Sequence, residues 1–395
     1  MADYAHLTNL WRYPTLIRFG VGRIQELPEV CKDLGIRHPL LVTDPGLAGL
    51  PMVKEAIAAN NAAGVTTILF SDIKGNPTGK NLMDGVAAFE KNACDGVIAF
   101  GGGSAMDCGK TIAFMAGQHA VGHPNPWQDY AVFGPGMKVA KKDKVAPIIA
   151  IPTTAGTGSE VGRAAVITDE VTHAKRIILY SYMMPATVIA DPALTVGLPP
   201  HITAATGMDA LAHCFEAYSA KDFHPMADGI AVEGMRLIKE WLPRAVKDGK
   251  DLEARAHMMA AASMGAAAFN KGLGAIHALS HPVGALFDTH HGLTNAVFMP
   301  YVMAFNKTAI EDKMVRLAGY LGIEPRSYRG IMDWVLALRQ EFNIPHTTKE
   351  LGVPVDRLEE IAKLAADDPC APENPVPCGP KEMRVMLDAS YTGQL

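Results

Sequence analysis

Four short apolar runs recur in the first half of the chain, and each is separated from the next by a stretch of helical periodicity. They are Pro39-Leu40-Leu41-Val42-Thr43-Asp44, Thr66-Thr67-Ile68-Leu69-Phe70, Gly96-Val97-Ile98-Ala99-Phe100 and Pro147-Ile148-Ile149-Ala150-Ile151-Pro152. Runs this short, without polar alternation, read as strands buried on both faces. The amphipathic stretch Asn81 to Lys91 reads as one of the helices between them. Strands alternating with helices require crossover connections, so the pattern predicts a mostly parallel sheet covered by helices. Val166 to Asp169 and Arg176 to Tyr180 read as a strand pair around a polar turn, and Val188 to Pro192 closes this half.

From Pro200 onward the periodicity is helical almost throughout. Thr203 or Thr206, and Asp251, mark helix starts. Met258 to Phe269, rich in Ala and Met, reads as a buried helix too short to span a membrane. Asp367 to Pro380 is Pro-rich and reads as irregular, with a last helix over Lys381 to Ala389. The change of pattern places a boundary near residue 191. The expectation is an α/β domain over 1–191 and an all-helical domain over 192–395. A chain of 395 residues with 49% hydrophobic content has material for two cores.

The formal charge of −5 argues against a nucleic-acid or anionic-membrane partner. Lys138, Lys141, Lys142 and Lys144 form the one basic cluster, which reads as a solvated turn. The six cysteines are scattered without a C-x-x-C pair, which suits reduced thiols and a cytoplasmic location. Met1 to Thr15 has no basic stretch followed by an apolar run, so no signal peptide is expected.

Two strand ends carry loops suited to phosphate. Gly101-Gly102-Gly103-Ser104 follows the third run and opens a helical pattern with Asp107, Lys110 and Thr111. Glycines let a pyrophosphate approach the backbone, and a helix N-terminus offers free N–H groups and a positive dipole end. The G-x-G-x-x-G fingerprint is not met, because Met106 stands at its third glycine. Taken alone, this turn reads equally as an ordinary strand-to-helix connection. Pro152-Thr153-Thr154-Ala155-Gly156-Thr157-Gly158-Ser159-Glu160 follows the fourth run; it is either a second phosphate loop or a polar loop capping a helix through Thr157 or Ser159. Asp44, at the end of the first run, could accept a ribose 2′-hydroxyl or simply initiate the turn before Pro45-Gly46. Gly75-Asn76-Pro77-Thr78 is a further turn.

The second half holds pairs of polar residues at helical spacing. Asp209 and His213 lie four apart, and so do His277 and His281; His290 and His291 follow. Three imidazoles and a carboxylate suit Fe(II) or Zn(II), not Ca or Mg. Spacing alone leaves a structural reading of these histidines open. Pro282 also disfavours a helical conformation at His281.

Taken in order, these blocks resemble the iron-containing (group III) alcohol dehydrogenase family. The resemblance rests on Gly101 to Ser104 with Asp107 and Lys110, Pro152 to Glu160, Ala190-Asp191-Pro192, Ala205 to His213, Gly272 to Gly274, His277 to Pro282, and His291-Gly292. It runs from about Tyr13 to Asn374-Pro375. It implies a dehydroquinate synthase-like architecture: a dinucleotide-binding α/β domain, an all-α metal domain and an active site in the cleft between them. It implies Asp209, His213, His277 and His291 as metal ligands, with Fe2+ as the metal and Zn2+ as the alternative. His281 would lie near the nicotinamide and relay protons. Asp44, Asn76, Gly102, Gly103, Ser104, Asp107, Thr153, Thr154, Thr157 and Leu179 would line an NAD site. The implied activity is reversible oxidation of a primary alcohol or diol to the aldehyde with NAD, by a homodimer or a larger assembly of dimers. The alternatives are a hydroxy-acid dehydrogenase, or a metal-dependent lyase or cyclase like dehydroquinate synthase. A lyase of that kind needs a basic substrate pocket, for which Lys271 and Arg163 are the candidates. Gly162 and Ala164 stand where relatives often carry Thr and a large aromatic residue, and His290 stands where proline is common.

Overall fold

The computed structural model describes residues 15–119, 122, 125–132, 140–172 and 174–395. The Met1 to Thr15 segment, for which no signal peptide is expected, therefore falls almost wholly outside the described residues, as do Lys138 of the basic cluster and the Tyr13 start of the family resemblance. The chain forms two compact units. One takes the described chain up to Thr154 together with Gly158–Gly197; the other takes Ala155–Thr157 and Leu198–Leu395.

The first unit is built on a six-stranded sheet. Its strands are β1 (Leu16–Phe19), β2 (Pro39–Val42), β3 (Ile68–Phe70), β4 (Gly96–Gly101), β5 (Ile148–Pro152) and β8 (Thr187–Ala190). Every pairing is parallel, in the order β1-β8-β5-β4-β2-β3. The helices α1 (Leu27–Asp33), α2 (Pro45–Ala48), α3 (Pro51–Ala62), α4 (Gly79–Lys91), α5 (Gly103–His119) and α6 (Pro126–Tyr130) lie in the connections. Alternate strand residues feed two cores, as the period of two requires. Leu40, Val42 and Val97 pack with Ile112 and Phe114 of α5. Leu41, Ile98, Phe100, Ile149 and Ile151 pack with Leu27 and Val30 of α1 and Val53 of α3. The central strands are buried throughout. The edge strand β1 is not: Leu16 is 60% and Phe19 44% exposed. β6 (Ala164–Asp169) and β7 (Ala174–Leu179) form the antiparallel pair expected from sequence.

Strand order reverses between β2 and β4. From β2 the chain moves outward to β3, whereas from β4 it moves the other way to β5. The carboxyl ends flanking this switch point are where ligands collect in open parallel sheets. Asp44 follows β2 there, and Gly101 to Ser104 stands at the end of β4.

The second unit is helical: α7 (Pro200–Ser219), α8 (Pro225–Lys247), α9 (Leu252–Ala268), α10 (Ala275–Phe287), α11 (His291–Leu321), α12 (Tyr328–Glu341), α13 (Leu358–Ala366) and α14 (Pro380–Thr392). Asp251 caps α9 through Ala254 N–H as the sequence suggests. The start of α7 differs from the expectation. It begins at Pro200, behind Pro199, and Thr203 and Thr206 lie inside it; the Thr206 hydroxyl donates back to Ile202. Proline at the first helical position explains the earlier start, because it lacks only an N–H that would be unpaired there anyway. α7 is buried almost all round and packs on α8, α9 and α11, which makes it the buried axis of the unit. Among the described residues no helix is long and apolar enough to cross a membrane.

Candidate functional site

Three helices of the second unit each supply two polar residues four positions apart. α7 carries Asp209 and His213, α10 carries His277 and His281, and α11 carries His291 and Asn295. On a helix this spacing stacks both side chains on one face. Small residues let the helices meet. A Cβ on Gly292 would stand 2.4 Å from the carbonyl oxygen of Ala205 and 2.9 Å from the Asp209 Cβ, so the first turn of α11 fits against α7 only with glycine there. Gly265 gives α9 the same closeness to His213.

The structure brings Asp209, His213, His277 and His291 together. Ligand atoms of the first three lie within 4.8 Å of one another. His291 Nε2 lies 3.7 Å from Asp209 Oδ1. The His213 and His277 rings stack at 4.7 Å, and those of His277 and His291 lie 5.3 Å apart. Asp209, His213 and His277 are buried, whereas the His291 side chain is 25% exposed. Burial pushes the His213 imidazole down to about 4, so it stays neutral and able to ligate near pH 7.

A carboxylate absent from the sequence-derived set fixes His277. Glu216, one turn beyond His213 on α7, accepts the Nδ1 proton of His277 at 2.5 Å and the Ile276 N–H at 2.7 Å. Gly274 makes room for it, since a Cβ there would meet Glu216 Oε1 at 3.0 Å. Burial opposes charge on His277, but Glu216 outweighs it and the pKa is raised. With Nδ1 engaged, Nε2 is the nitrogen that carries the lone pair, and it faces the cluster. These donors fit a borderline divalent cation such as Fe(II) or Zn(II).

α10 continues through Pro282, so the disfavour for helix at His281 does not prevail. His281 stays one turn beyond His277, their rings 5.9 Å apart. Its Nδ1 donates to Asp368 Oδ2 at 2.8 Å, and Asp368 Oδ1 accepts the Cys370 N–H. Burial would raise the Asp368 pKa, but His281 and these hydrogen bonds hold it below the ordinary range. His281, Asp368 and Cys370 also lie within ligating distance of one another. Burial and the neighbouring Asp368 push the Cys370 thiol far up, away from the thiolate a metal would need. His290 caps α11, its Nδ1 accepting the Leu293 N–H. Glu216, Asn295 and Asp368 had no signal in the sequence beyond their helical spacing or their place in the irregular tail.

In the first unit the dinucleotide candidates gather at the switch point. Asp44 caps α2, its Oδ1 accepting the Gly46 and Leu47 N–H groups, so the turn role is present. Its Oδ2 lies 3.8 Å from where a Gly101 Cβ would stand. Gly101 has φ +149°, a conformation that suits glycine, and a Cβ there would clash with Ala105 at 2.7 Å. Gly103 opens α5, whose first N–H groups are free to bind an anion. A Cβ on Gly102 would meet the Thr154 side chain at 3.3 Å, so the two loops adjoin. Thr153 N–H bonds the Gly101 carbonyl at 2.9 Å. The Ser104 hydroxyl donates to the Gly75 carbonyl, tying in the turn that contains Asn76.

Asp107 is placed differently from these. Its Oδ1 accepts the Ser159 hydroxyl at 2.5 Å and its Oδ2 the Val166 N–H at 2.8 Å. Fully buried Lys110 donates to the carbonyls of Ser159, Gly162 and Ala164. Both residues brace the loop from beneath. Ser159 is therefore not a helix cap, and the short turn it begins has Gly158 at its cap position with no side-chain bond. Leu179 ends β7 opposite Ala164. Thr157 belongs to the segment that clusters with the helical unit.

The sequence matches two family descriptions end to end: "Iron-containing alcohol dehydrogenase" over residues 14–192 and "Fe-containing alcohol dehydrogenase family, C-terminal" over 203–391. It is 37% identical over 388 residues to 4-hydroxybutyrate dehydrogenase of Cupriavidus necator, covering 96% of this chain and 98% of that one. It is 36% identical over 379 residues to NAD-dependent methanol dehydrogenase of Bacillus methanolicus, covering 93% and 96%. Among solved structures, a 1,3-propanediol oxidoreductase superposes with a TM-score of 0.88 at 33% identity, over 97% of this chain and 100% of that one. Sulfoacetaldehyde reductase of Bifidobacterium kashiwanohense, solved with NAD+, superposes with a TM-score of 0.86 at 29% identity, over 98% and 100%.

Proposed function

The chain belongs to the iron-containing alcohol dehydrogenase family, and from that premise we propose that it oxidises a primary alcohol or diol with NAD, reversibly, at an iron centre. One observation carries the reading: Asp209, His213, His277 and His291 converge in a largely buried cluster whose His277 is held by Glu216 with Nε2 turned to the other three. A divalent cation on these four side chains would supply a Lewis acid for charge developing on the substrate oxygen, and NAD would supply the hydride acceptor. Fe2+ is the metal proposed; Zn2+ would accept the same donors.

The residues do the rest. The free N–H groups at the start of α5 hold the pyrophosphate, and Gly102 lets it approach. Asp44 accepts the ribose 2′-hydroxyl through the oxygen its cap does not use, which favours NAD over NADP. Asn76, Gly103, Ser104, Thr153, Thr154, Thr157 and Leu179 complete the proposed cofactor site, with Asp107 bracing it. His281 takes the proton at Nε2, because Asp368 occupies its Nδ1. The burial of His277 and His281 keeps bulk water from these groups.

The lyase alternative is disfavoured by one of its two candidates. Lys271 is buried and donates to Asp228 and to the Tyr218 carbonyl, so it offers no cation to a substrate phosphate. A homodimer-based assembly is proposed from edge strand β1, which exposes Leu16, Ile17 and Phe19. A cytoplasmic location is proposed from six free cysteines. The test is absorbance of reduced nicotinamide on Fe(II)-reconstituted protein with a panel of primary alcohols, diols and hydroxy acids. Turnover with NAD on an alcohol or diol is expected; no turnover on any member with metal bound would sink the reading.

A further inference from the structure

Asn295 is fully buried and stands one turn into α11, directly over His291. Its Nδ2 lies 2.7 Å from Asp209 Oδ1, 3.2 Å from His277 Nε2 and 3.2 Å from His291 Nε2. The carboxylate has only lone pairs to offer, and His277, whose Nδ1–H donates the hydrogen bond to Glu216, presents the lone pair of its Nε2. The amide nitrogen, not the oxygen, must therefore be the atom turned toward the cluster. An imidazole Nε2 has a single lone pair, so a nitrogen that ligates a cation accepts nothing from Asn295. A carboxylate oxygen has two and can do both. In the ligated centre the amide's partner is thus Asp209 Oδ1, which is already its shortest contact.

We propose that Asn295 is a positioning residue of the metal centre: it pins the Asp209 carboxylate so that one oxygen alone reaches the cation, leaving a coordination position over for substrate. The proposal rests on the metal-centre reading above and specifies its coordination number. A carboxylate free to rotate brings its second oxygen onto the same ion, and that extra bond fills the place the substrate needs. The N–H bond also draws charge from Oδ1, which makes the ion a stronger Lewis acid.

The experiment uses Co(II) as the probe ion in the whole chain, because its visible bands are intense in four-coordination and weak in five or six. The wild-type protein should show the intense band, and azide, a small anion that takes an open position, should shift it. Asn295→Leu keeps the branched shape and removes the donor, and Asn295→Ala removes both. Each should lose band intensity and lose the azide response. Variants with the wild-type band and azide shift would overturn the proposal. So would a weak band in the wild type, or an azide response missing from it, and these need no variant to fold. Failure of the wild type to take up one Co(II) per chain would be a different result, removing the metal centre itself.

Discussion

The two units present their chemistry in opposite ways. In the helical unit the groups at the site are side chains, three of them held by another buried side chain: His277 by Glu216, His281 by Asp368, Asp209 by Asn295. In the α/β unit the groups are main-chain N–H donors at the start of α5, made accessible by residues that have no side chain. A metal centre needs particular atoms at fixed distances, so it is built by addition. An anion cradle needs backbone within reach, so it is built by removal. The first should fail when an atom is taken away, the second when one is put in.

The largest effect should come from taking a ligand. His277→Ala leaves three donors for the cation and deprives Glu216 of its partner. Metal content should fall well below one per chain, and kcat/KM by roughly 10³-fold, the scale of a lost Lewis acid. Metal analysis of the purified variant checks it, and full occupancy would show that His277 is not a ligand.

Glu216→Gln sharpens the same side of the comparison. The amide keeps the size and one acceptor but no longer stabilises a donor at Nδ1 by charge. Cation affinity should fall about 10–100-fold with the fold intact. Chelator competition beside a melting curve measures it. A melting temperature that drops while affinity holds would make Glu216 a packing residue only.

What the sequence showed follows the same division. The central strands β2, β4 and β5 are legible because both faces are buried and their residues are apolar without interruption. Edge strand β1, Leu16-Ile17-Arg18-Phe19, has no such run, since Arg18 turns to Glu26, Glu29 and Asp33. The proposed ligands are legible only through the family resemblance, because Asp and His at spacing four leave a structural reading open. Glu216, Asn295 and Asp368 are not, because their roles depend on what packs opposite. Asp368 lies 87 residues from His281, and no periodicity relates them. The Gly101 turn could be recognised as a turn, but its place beside Asp44 required the strand order. Asp107 shows the reverse limit: its position beside the glycines suggests a cofactor contact, while its bonds run to Ser159 and Val166.

On the other side of the comparison, Gly102→Val adds atoms where the backbone must be bare. The new side chain meets Thr154 and covers the approach to the α5 N-terminus. Loss of one charge-assisted bond to a phosphate is worth about 1.5–3 kcal/mol, so KM for NAD should rise roughly 10–100-fold. Metal content should not change. A variant that loses metal but keeps its KM for NAD would break the division between the two units.

The smallest effect is the most discriminating, because Asp44 sits on both sides of the division. As a side chain it caps α2, and as a charge it faces the switch point. Removing the cap and the charge together would confound them, since an N-cap lost to Ala costs about 1 kcal/mol. Asp44→Ser separates them, because serine caps nearly as well and carries no charge. Stability should stay within about 0.5 kcal/mol. A carboxylate near the ribose would repel a 2′-phosphate by about 1 kcal/mol or somewhat more in a solvated site, so the preference for NAD over NADP should narrow about tenfold. The ratio of kcat/KM for the two cofactors measures this directly. A ratio that stays put in Asp44→Ser, with the melting temperature also unchanged, would leave Asp44 as a cap alone, and cofactor choice would then have to come from the backbone-built part of the site.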